Sequence, residues 1–248
     1  MKKTILITGA SRGIGAQIAL LAAQQGYRVG LNYLRNTEAV NALVKTITDG
    51  GGEAIALQAD VGNSAAVKNM FERLDKQWGK IDVLVNNAGL LTNFRVEDVD
   101  ESKIEEVFRA NVYSAYFCSR EAILRMSQRH GGHGGSIINI SSVAARLGGL
   151  GGGSAYAASK GAIDSFNLAL AKEVGAEGIR VNAIRPGLIR TTIHEAQGGL
   201  EHIEQVAKSV VPLGRMGAPS EVAQVALWLA SDAASYVHGT TIDVAGGR

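Results

Sequence analysis

The chain has 248 residues, 46% of them apolar, and 31 glycines; the length and apolar content suit one large α/β domain with a sizeable core, and no collagen-like period accompanies the glycine. Its 25 basic and 23 acidic residues are mixed along the chain and leave a net charge of +2, which argues against a nucleic-acid or membrane-surface partner. The single cysteine, Cys118, excludes an intrachain disulfide and points to a reducing, cytoplasmic setting. The apolar stretch after Lys2 and Lys3 ends at Thr8 and Gly9, too short for a secretory leader, and no apolar run approaches the length of a membrane span.

A β-branched run at residues 4–8 reads as the first strand. A glycine loop at 9–15 follows, and residues 14–25 predict an amphipathic helix ended by Gly26. Residues 28–33 predict a second strand, and 37–49 a helix with Thr37 as N-cap and Gly50, Gly51 and Gly52 as its stop. Next come a strand at 54–58, a helix at 64–78 closed by Gly79, and a strand at 81–85. Residues 102–129 read as one long helix, 136–140 as a strand, and 154–174 as a helix after the glycine run at 148–153. A strand at 180–184, a helix at 220–230 and a strand at 241–244 complete the alternation. Residues 188–216 fit it least; with Thr191, Thr192, His194, Gly198, Gly199 and Pro212 they are expected to form a mobile lid. The strands are apolar on both faces, as in buried parallel sheets. The expected architecture is therefore α/β: a Rossmann-type doubly wound parallel sheet in three layers, one domain over residues 1–248.

The loop Thr8-Gly9-Ala10-Ser11-Arg12-Gly13-Ile14-Gly15 joins the first strand to the first helix. Glycines there let the backbone approach a pyrophosphate, and the helix start offers N–H groups and a positive dipole end. The spacing, Gly-x-x-x-Gly-x-Gly, differs from the standard dinucleotide fingerprint. Cofactor choice lies at the end of the second strand, where an acid would hold a ribose 2′-hydroxyl and repel a 2′-phosphate. Here the strand ends Asn32-Tyr33-Leu34-Arg35, without an acid. Arg12 and Arg35 could both reach a 2′-phosphate, so NADP(H) is expected over NAD(H); the alternative is that both are plain surface cations. Asp60-Val61, after the third strand, would flank an adenine, or Asp60 would cap the following turn.

On the helix from Ser154, Tyr156 and Lys160 lie four residues apart and so share a face. A cation about 4 Å from a phenol contributes roughly 4 kcal/mol at an effective dielectric near 20, enough to draw the phenol toward neutral pH, while burial opposes it. A tyrosine so poised suits general acid/base work. The competing reading is a core edge beside a solvated lysine tip.

With these pieces assembled, the chain resembles the short-chain dehydrogenase/reductase family over residues 3–247. The likeness is carried by the Thr8 to Gly15 loop, Asp60-Val61, Asn86-Asn87-Ala88-Gly89, Asn111, Ser141-Ser142, Tyr156-x-x-x-Lys160, Pro186-Gly187 with Thr191, and the tail through Tyr236 to Gly247. It is most similar to the subgroup of 3-oxoacyl-carrier-protein reductases and bacterial glucose 1-dehydrogenases. The resemblance implies Tyr156 as general acid/base, Ser142 as the group orienting the substrate oxygen, Lys160 as the residue lowering the Tyr156 pKa and holding the ribose, and Asn111 as support for a water relay. It implies that Asn87, Ala88 and Gly89 line the cofactor cleft and that Pro186, Gly187, Ile189 and Thr191 bracket the nicotinamide. The segment between Ser142 and Tyr156 is one residue longer than the family's pattern, through the glycine run.

The expected activity is NADP(H)-dependent interconversion of a small-molecule carbonyl and a secondary alcohol. The rivals are a glucose or polyol dehydrogenase and a non-catalytic NADP(H)-binding sensor. The resemblance implies that the long helix, the Tyr156 helix and the last strand pair between subunits, and so a homotetramer or homodimer, by analogy. His130 and His133 lack further ligands nearby, so no metal is expected. His194 could touch substrate or simply be solvated. Arg146 could attract an anionic substrate. Arg125, Arg129 and Lys172 form either a carrier-docking face or a solvated helical face, and Cys118 reads as core.

Overall fold

Seven strands form one parallel sheet in the order β3-β2-β1-β4-β5-β6-β7 in the computed structural model, which describes residues 2–193 and 198–248. They are β1 Thr4–Ile7, β2 Arg28–Tyr33, β3 Glu53–Gln58, β4 Val83–Asn86, β5 Gly135–Ile140, β6 Ile179–Pro186 and β7 Thr241–Val244. Register sets Ile5 opposite both Val29 and Val83. Because strand side chains alternate between faces, Ile5, Ile7, Val29, Leu31, Val83 and Val85 feed one core. There they meet Ile18, Ala19 and Ala22 of helix α1 (Gly13–Gln24) and Val222 and Ala226 of α9 (Pro219–Ala230). Leu6, Leu84 and Ile137 feed the opposite core, against Phe71 and Leu74 of α3 (Ser64–Trp78), Cys118 and Ala122 of α5 (Ser114–Met126), and Ile163 and Phe166 of α7 (Ser154–Val174). At roughly 1.5–3 kcal/mol for each large apolar side chain fully buried, this two-faced burial holds helices on both sides of the sheet. The doubly wound three-layer architecture is the expected one.

Sequence order reverses between β1 and β4. That reversal opens a crevice beyond the carboxyl ends of the strands, where α/β sheets place their ligands. The segments after β1, β4, β5 and β6 all leave the sheet at this edge.

The structure differs from expectation at several elements. The helix α2 (Thr37–Asp49) is capped by Asn36, whose side chain accepts from Ala39 N at 3.0 Å; Thr37 is its first helical residue. The expected single helix over 102–129 is broken into α4 (Glu101–Phe108), one wide π-type turn (Arg109–Tyr113) and α5, followed by a short tight turn at Gln128–His130. Within the wide turn Asn111 bonds the backbone of Leu90, a tertiary contact that an isolated helix lacks. β6 runs on to Pro186 because β7 pairs with it to the end, Pro186 opposite Val244. Residues 188–216 contain a well-formed helix, α8 (Gly199–Val210), whose Ile203 and Ala207 pack with Leu188, Val211 and Met216. A further short helix, α6 (Ala144–Leu147), follows Ser142. His194 lies outside the described residues. Among the described residues no helix is long and apolar enough to cross a membrane.

Candidate active site

The glycine loop is held from behind. Thr8 Oγ1 accepts from the backbone N–H of both Asn87 and Ala88, at 2.9 Å each. The Asn87 amide in turn donates to Thr8 O at 2.9 Å and Gly9 O at 3.1 Å. Gly9 and Gly13 have φ of +62° and +59°, a region that side chains disfavour, and a Cβ on Gly9 would stand 2.9 Å from Ala88 Cα. Gly15 packs beneath Asn87, behind the loop. Arg12, the residue just before α1, has extended backbone and offers no side-chain cap, which leaves the N–H groups of the first turn of α1 to an anion.

Asn32 is the residue sequence reading missed here. Buried at the end of β2, it accepts from Gly9 N at 3.2 Å and donates to Leu57 O and Ala59 O at 3.1 Å each. It thereby clamps the loop to the ends of β2 and β3. A polar residue within an otherwise apolar strand was the available signal, since a buried amide needs partners.

A cleft of about 690 Å³ runs from this loop to Tyr156, a small-molecule volume. Every expected site residue lines it except Gly15 and Asn111. Arg12 and Arg35 are exposed and form no ion pair among the described residues, while Tyr33 is buried between them and the core. Asp60 caps its own turn, accepting from Gly62 N at 2.9 Å, and pairs with Arg109 at 3.3 Å; Val61 is buried beside it. Pro186 O accepts from Val143 N at 3.1 Å, Gly187 N donates to Val244 O at 3.0 Å, and Ile189 bridges to Gly217. Thr191 lies over Gly13, so the start of the 188–216 segment closes onto the glycine loop.

At the other end of the cleft the two serines face different ways. Ser141 is buried and donates to Lys160 O at 3.2 Å. Ser142 lines the cleft together with Tyr156 and accepts from Ala144 N at 3.1 Å. Lys160 Nζ is buried, donates to Ile140 O at 2.8 Å, and stands 5.8 Å from the centre of the Tyr156 ring. Burial pushes the Lys160 pKa down to about 8, against the pull of the Asp164 carboxylate. Burial also raises the Tyr156 phenol above its ordinary range, with the Ser142 hydroxyl opposing. In the chain by itself burial outweighs any lowering of Tyr156 by Lys160, whose ammonium donates to a carbonyl.

Asn111 sits behind the cleft. Its oxygen accepts from Leu90 N at 2.6 Å, and its amide donates to Leu90 O at 3.0 Å and Ser159 Oγ at 2.8 Å. Ser159, also missed from sequence, passes the contact on to Tyr156 O at 2.7 Å. A Cβ at Gly89 would meet Asn111 Oδ1 at 3.1 Å and Lys160 Nζ at 3.4 Å, so that glycine fills the narrow gap between the two.

Several outlying candidates are occupied elsewhere. Arg146 pairs with Asp243, Arg125 with Asp75 and Glu121, and Arg129 with Glu177 at 3.9 Å. Cys118 is buried and its thiol is pushed far up by desolvation. No group of three metal-ligating side chains occurs among the described residues.

Residues 9–248 match the family model described as Enoyl-(Acyl carrier protein) reductase. The chain belongs to the short-chain dehydrogenase/reductase family. This dehydrogenase/reductase is 48% identical over 244 residues to the uncharacterized oxidoreductase YgfF of Escherichia coli, covering 98% of each chain. It is 38% identical to versicolorin reductase stcU of Emericella nidulans over 99% of this chain and 95% of that one. It is 36% identical to the 3-oxoacyl-[acyl-carrier-protein] reductase FabG of Staphylococcus aureus over 100% and 98%. A short-chain dehydrogenase/reductase mutant of Serratia marcescens superposes with a TM-score of 0.90 at 31% identity, covering 99% and 97%. Family membership makes the chain an oxidoreductase that acts on small molecules with a nicotinamide cofactor. The residues present fit such a group: a tight glycine cradle, an uncapped helix start and a cleft long enough to reach Tyr156.

Proposed function

We propose that the chain is an NADP(H)-dependent oxidoreductase that interconverts a carbonyl and a secondary alcohol, with Tyr156 as general acid/base. The observation that carries this is the convergence, in one cleft, of the Tyr156 phenol, Ser142 and the buried Lys160. The glycine loop and the first turn of α1 would hold the pyrophosphate. Arg12 and Arg35, unpaired among the described residues at a strand end that lacks an acid, support NADP(H) over NAD(H). Asp60 and Val61 would flank the adenine; Asn87, Ala88 and Gly89 would line the middle of the cleft. Pro186, Gly187, Ile189 and Thr191 would leave one face of the nicotinamide toward substrate, with residues 188–216 as the lid of this single domain.

When bound, the nicotinamide supplies or takes the hydride. Ser142 then orients the substrate oxygen, and Tyr156 gives it a proton during reduction. Burial keeps the phenol protonated before the transfer, so the proton is in place to be given. Lys160 would hold the ribose, and Asn111 would support the route by which the proton is replaced. By family likeness the chain is proposed to work as a homotetramer or homodimer. The names of two relatives, a versicolorin reductase and a 3-oxoacyl-carrier-protein reductase, support a reductive role.

Steady-state turnover with NADPH and NADH over a panel of ketones tests this reading. NADPH should be preferred, and Arg12→Ser with Arg35→Ser should raise KM for NADPH more than for NADH. Tyr156→Phe should lower kcat by about a hundredfold or more, the usual scale for a positioned acid. A loss below about tenfold would remove Tyr156 from the role.

A further inference from the structure

Granted the catalytic roles proposed for Ser142 and Tyr156, on which this inference rests, the walls around them decide which carbonyl compound fits. On one side α6 presents Leu147, 45% exposed, and the glycine run then presents Leu150. On the other, Ile193, 37% exposed, follows Thr192. Leu90 and Leu91, just after Gly89, and the buried Leu188 complete the lining. Leu147 and Ile193 are large apolar side chains left open to water at the edge of a cleft, an arrangement that marks a surface awaiting an apolar partner.

Most charged side chains of the cleft are placed or engaged otherwise. Arg12 and Arg35 belong to the glycine-loop end, Arg109 is paired with Asp60 at 3.3 Å, and Lys160 is bonded to Ile140 O. Glu106 is exposed one turn before Ala110, and Arg248 is half-buried beside the exposed Gly247. Beyond Ser142 and Tyr156, Thr192 adds a polar side chain to the lining.

The glycine run fixes the wall that carries Leu150. Phe94 N donates to Gly152 O at 2.9 Å, and a Cβ at Gly152 would overlap the Asn93 amide. The loop is thus docked on the segment that follows Leu91.

We propose that this end of the cleft takes an uncharged carbonyl compound with an apolar carbon skeleton, an alicyclic or aryl ketone, and discriminates against sugars and polyols. The physical reason is asymmetric. Methylenes laid against these leucines gain by leaving water, whereas sugar hydroxyls buried there without partners lose the hydrogen bonds that water gave them.

The test compares kcat/KM with NADPH for 2-decalone and 1-tetralone against glyceraldehyde and dihydroxyacetone, with glucose and NADP⁺ in the reverse direction. 2,3-Butanedione serves as a small reference carbonyl. The ketones should exceed the sugar compounds by about tenfold or more, and Leu147→Asn should cut the decalone-to-butanedione ratio by about fivefold or more, the range expected for contacts of a few methylenes. Leu147 is exposed, so the variant should fold. Sugars turned over as well as the ketones, with Tyr156→Phe inactive, would overturn this inference while leaving the catalytic reading intact. So would a keto acid preferred about tenfold over its methyl ester, which would shift recognition to a cation such as Arg248. Butanedione turnover indifferent to Tyr156→Phe would instead sink the catalytic reading, and this inference with it.

Discussion

Lys160 carries an ionisable amine into the interior, and its pKa of about 8 records the cost of doing so. An unfolded lysine keeps its proton up to its ordinary value of 10.5, whereas the folded one releases it near pH 8. Between those values the unfolded chain binds the additional proton, so folding stability rises with pH across that window. Below pH 8 the burial penalty stands in full, at about 3 kcal/mol. Lys160→Met keeps the length of the side chain and removes the charge, and so removes the slope. Denaturant unfolding of both proteins at pH 7 and pH 10 should show wild type gaining about 2–3 kcal/mol on the variant as pH rises. Parallel behaviour would mean that Lys160 keeps its proton in the folded chain. Tyr156, whose phenol is raised by burial, stays protonated across the lower part of this window, so the two groups do not exchange charge states together.

The break between α4 and α5 belongs to the scale of elements. Wide turns inside helices recur at functional sites, and this one is tied by three bonds from one amide, to Leu90 N, Leu90 O and Ser159 Oγ. Asn111→Ala takes the partner from the part-buried N–H and C=O of Leu90, while Ser159 Oγ keeps its bond to Tyr156 O; at about 1–3 kcal/mol for each group stranded, and with some repair by water, a net loss of about 2–3 kcal/mol is expected in urea unfolding. Ser159→Ala should cost about 1 kcal/mol. Equal small losses for both would show that the wide turn stands without Asn111. This turn was illegible in the sequence because its cause lies at Leu90, which meets Asn111 only in the folded chain. Asn32 was hidden for the same reason. Where the apolar period is complete in itself, as at residues 28–33, 37–49, 64–78, 154–174 and 241–244, the element bounds follow from the sequence alone. Helix α8 was legible and passed over: Leu200, Ile203, Val206, Ala207 and Val210 keep helical spacing, but Gly198, Gly199 and Pro212 draw the eye to a loop. The site motifs were readable because strand ends converge by topology, which fixes where Gly13, Ser142 and Tyr156 meet, while the electrostatics of Tyr156 needed its burial to be known.

At the scale of the whole molecule, the surface of the broken helix bears on assembly. Tyr113, Tyr116 and Leu124 are exposed at 43%, 53% and 47% and fall on one stripe of the wide turn and α5. Tyr116 stacks obliquely on Phe166 of α7, ring centres 4.2 Å apart, so the stripe continues onto the helix that carries Tyr156. Large apolar side chains gathered on one face favour an interface over open water, and a two-fold axis would bring the same patch against itself. An interface there would buttress α7 from outside and so stiffen the Tyr156–Lys160 pair without touching the cleft. Sedimentation of the wild-type chain should give a dimer or tetramer of the 26.0 kDa unit. Tyr113→Glu with Leu124→Glu should move it toward the monomer, because like charges placed across a two-fold repel and lose their solvation. A lone 26.0 kDa species for wild type would refute self-association outright. An oligomer unchanged by the double variant would place the interface on another face, away from the helices that carry Asn111 and Tyr156.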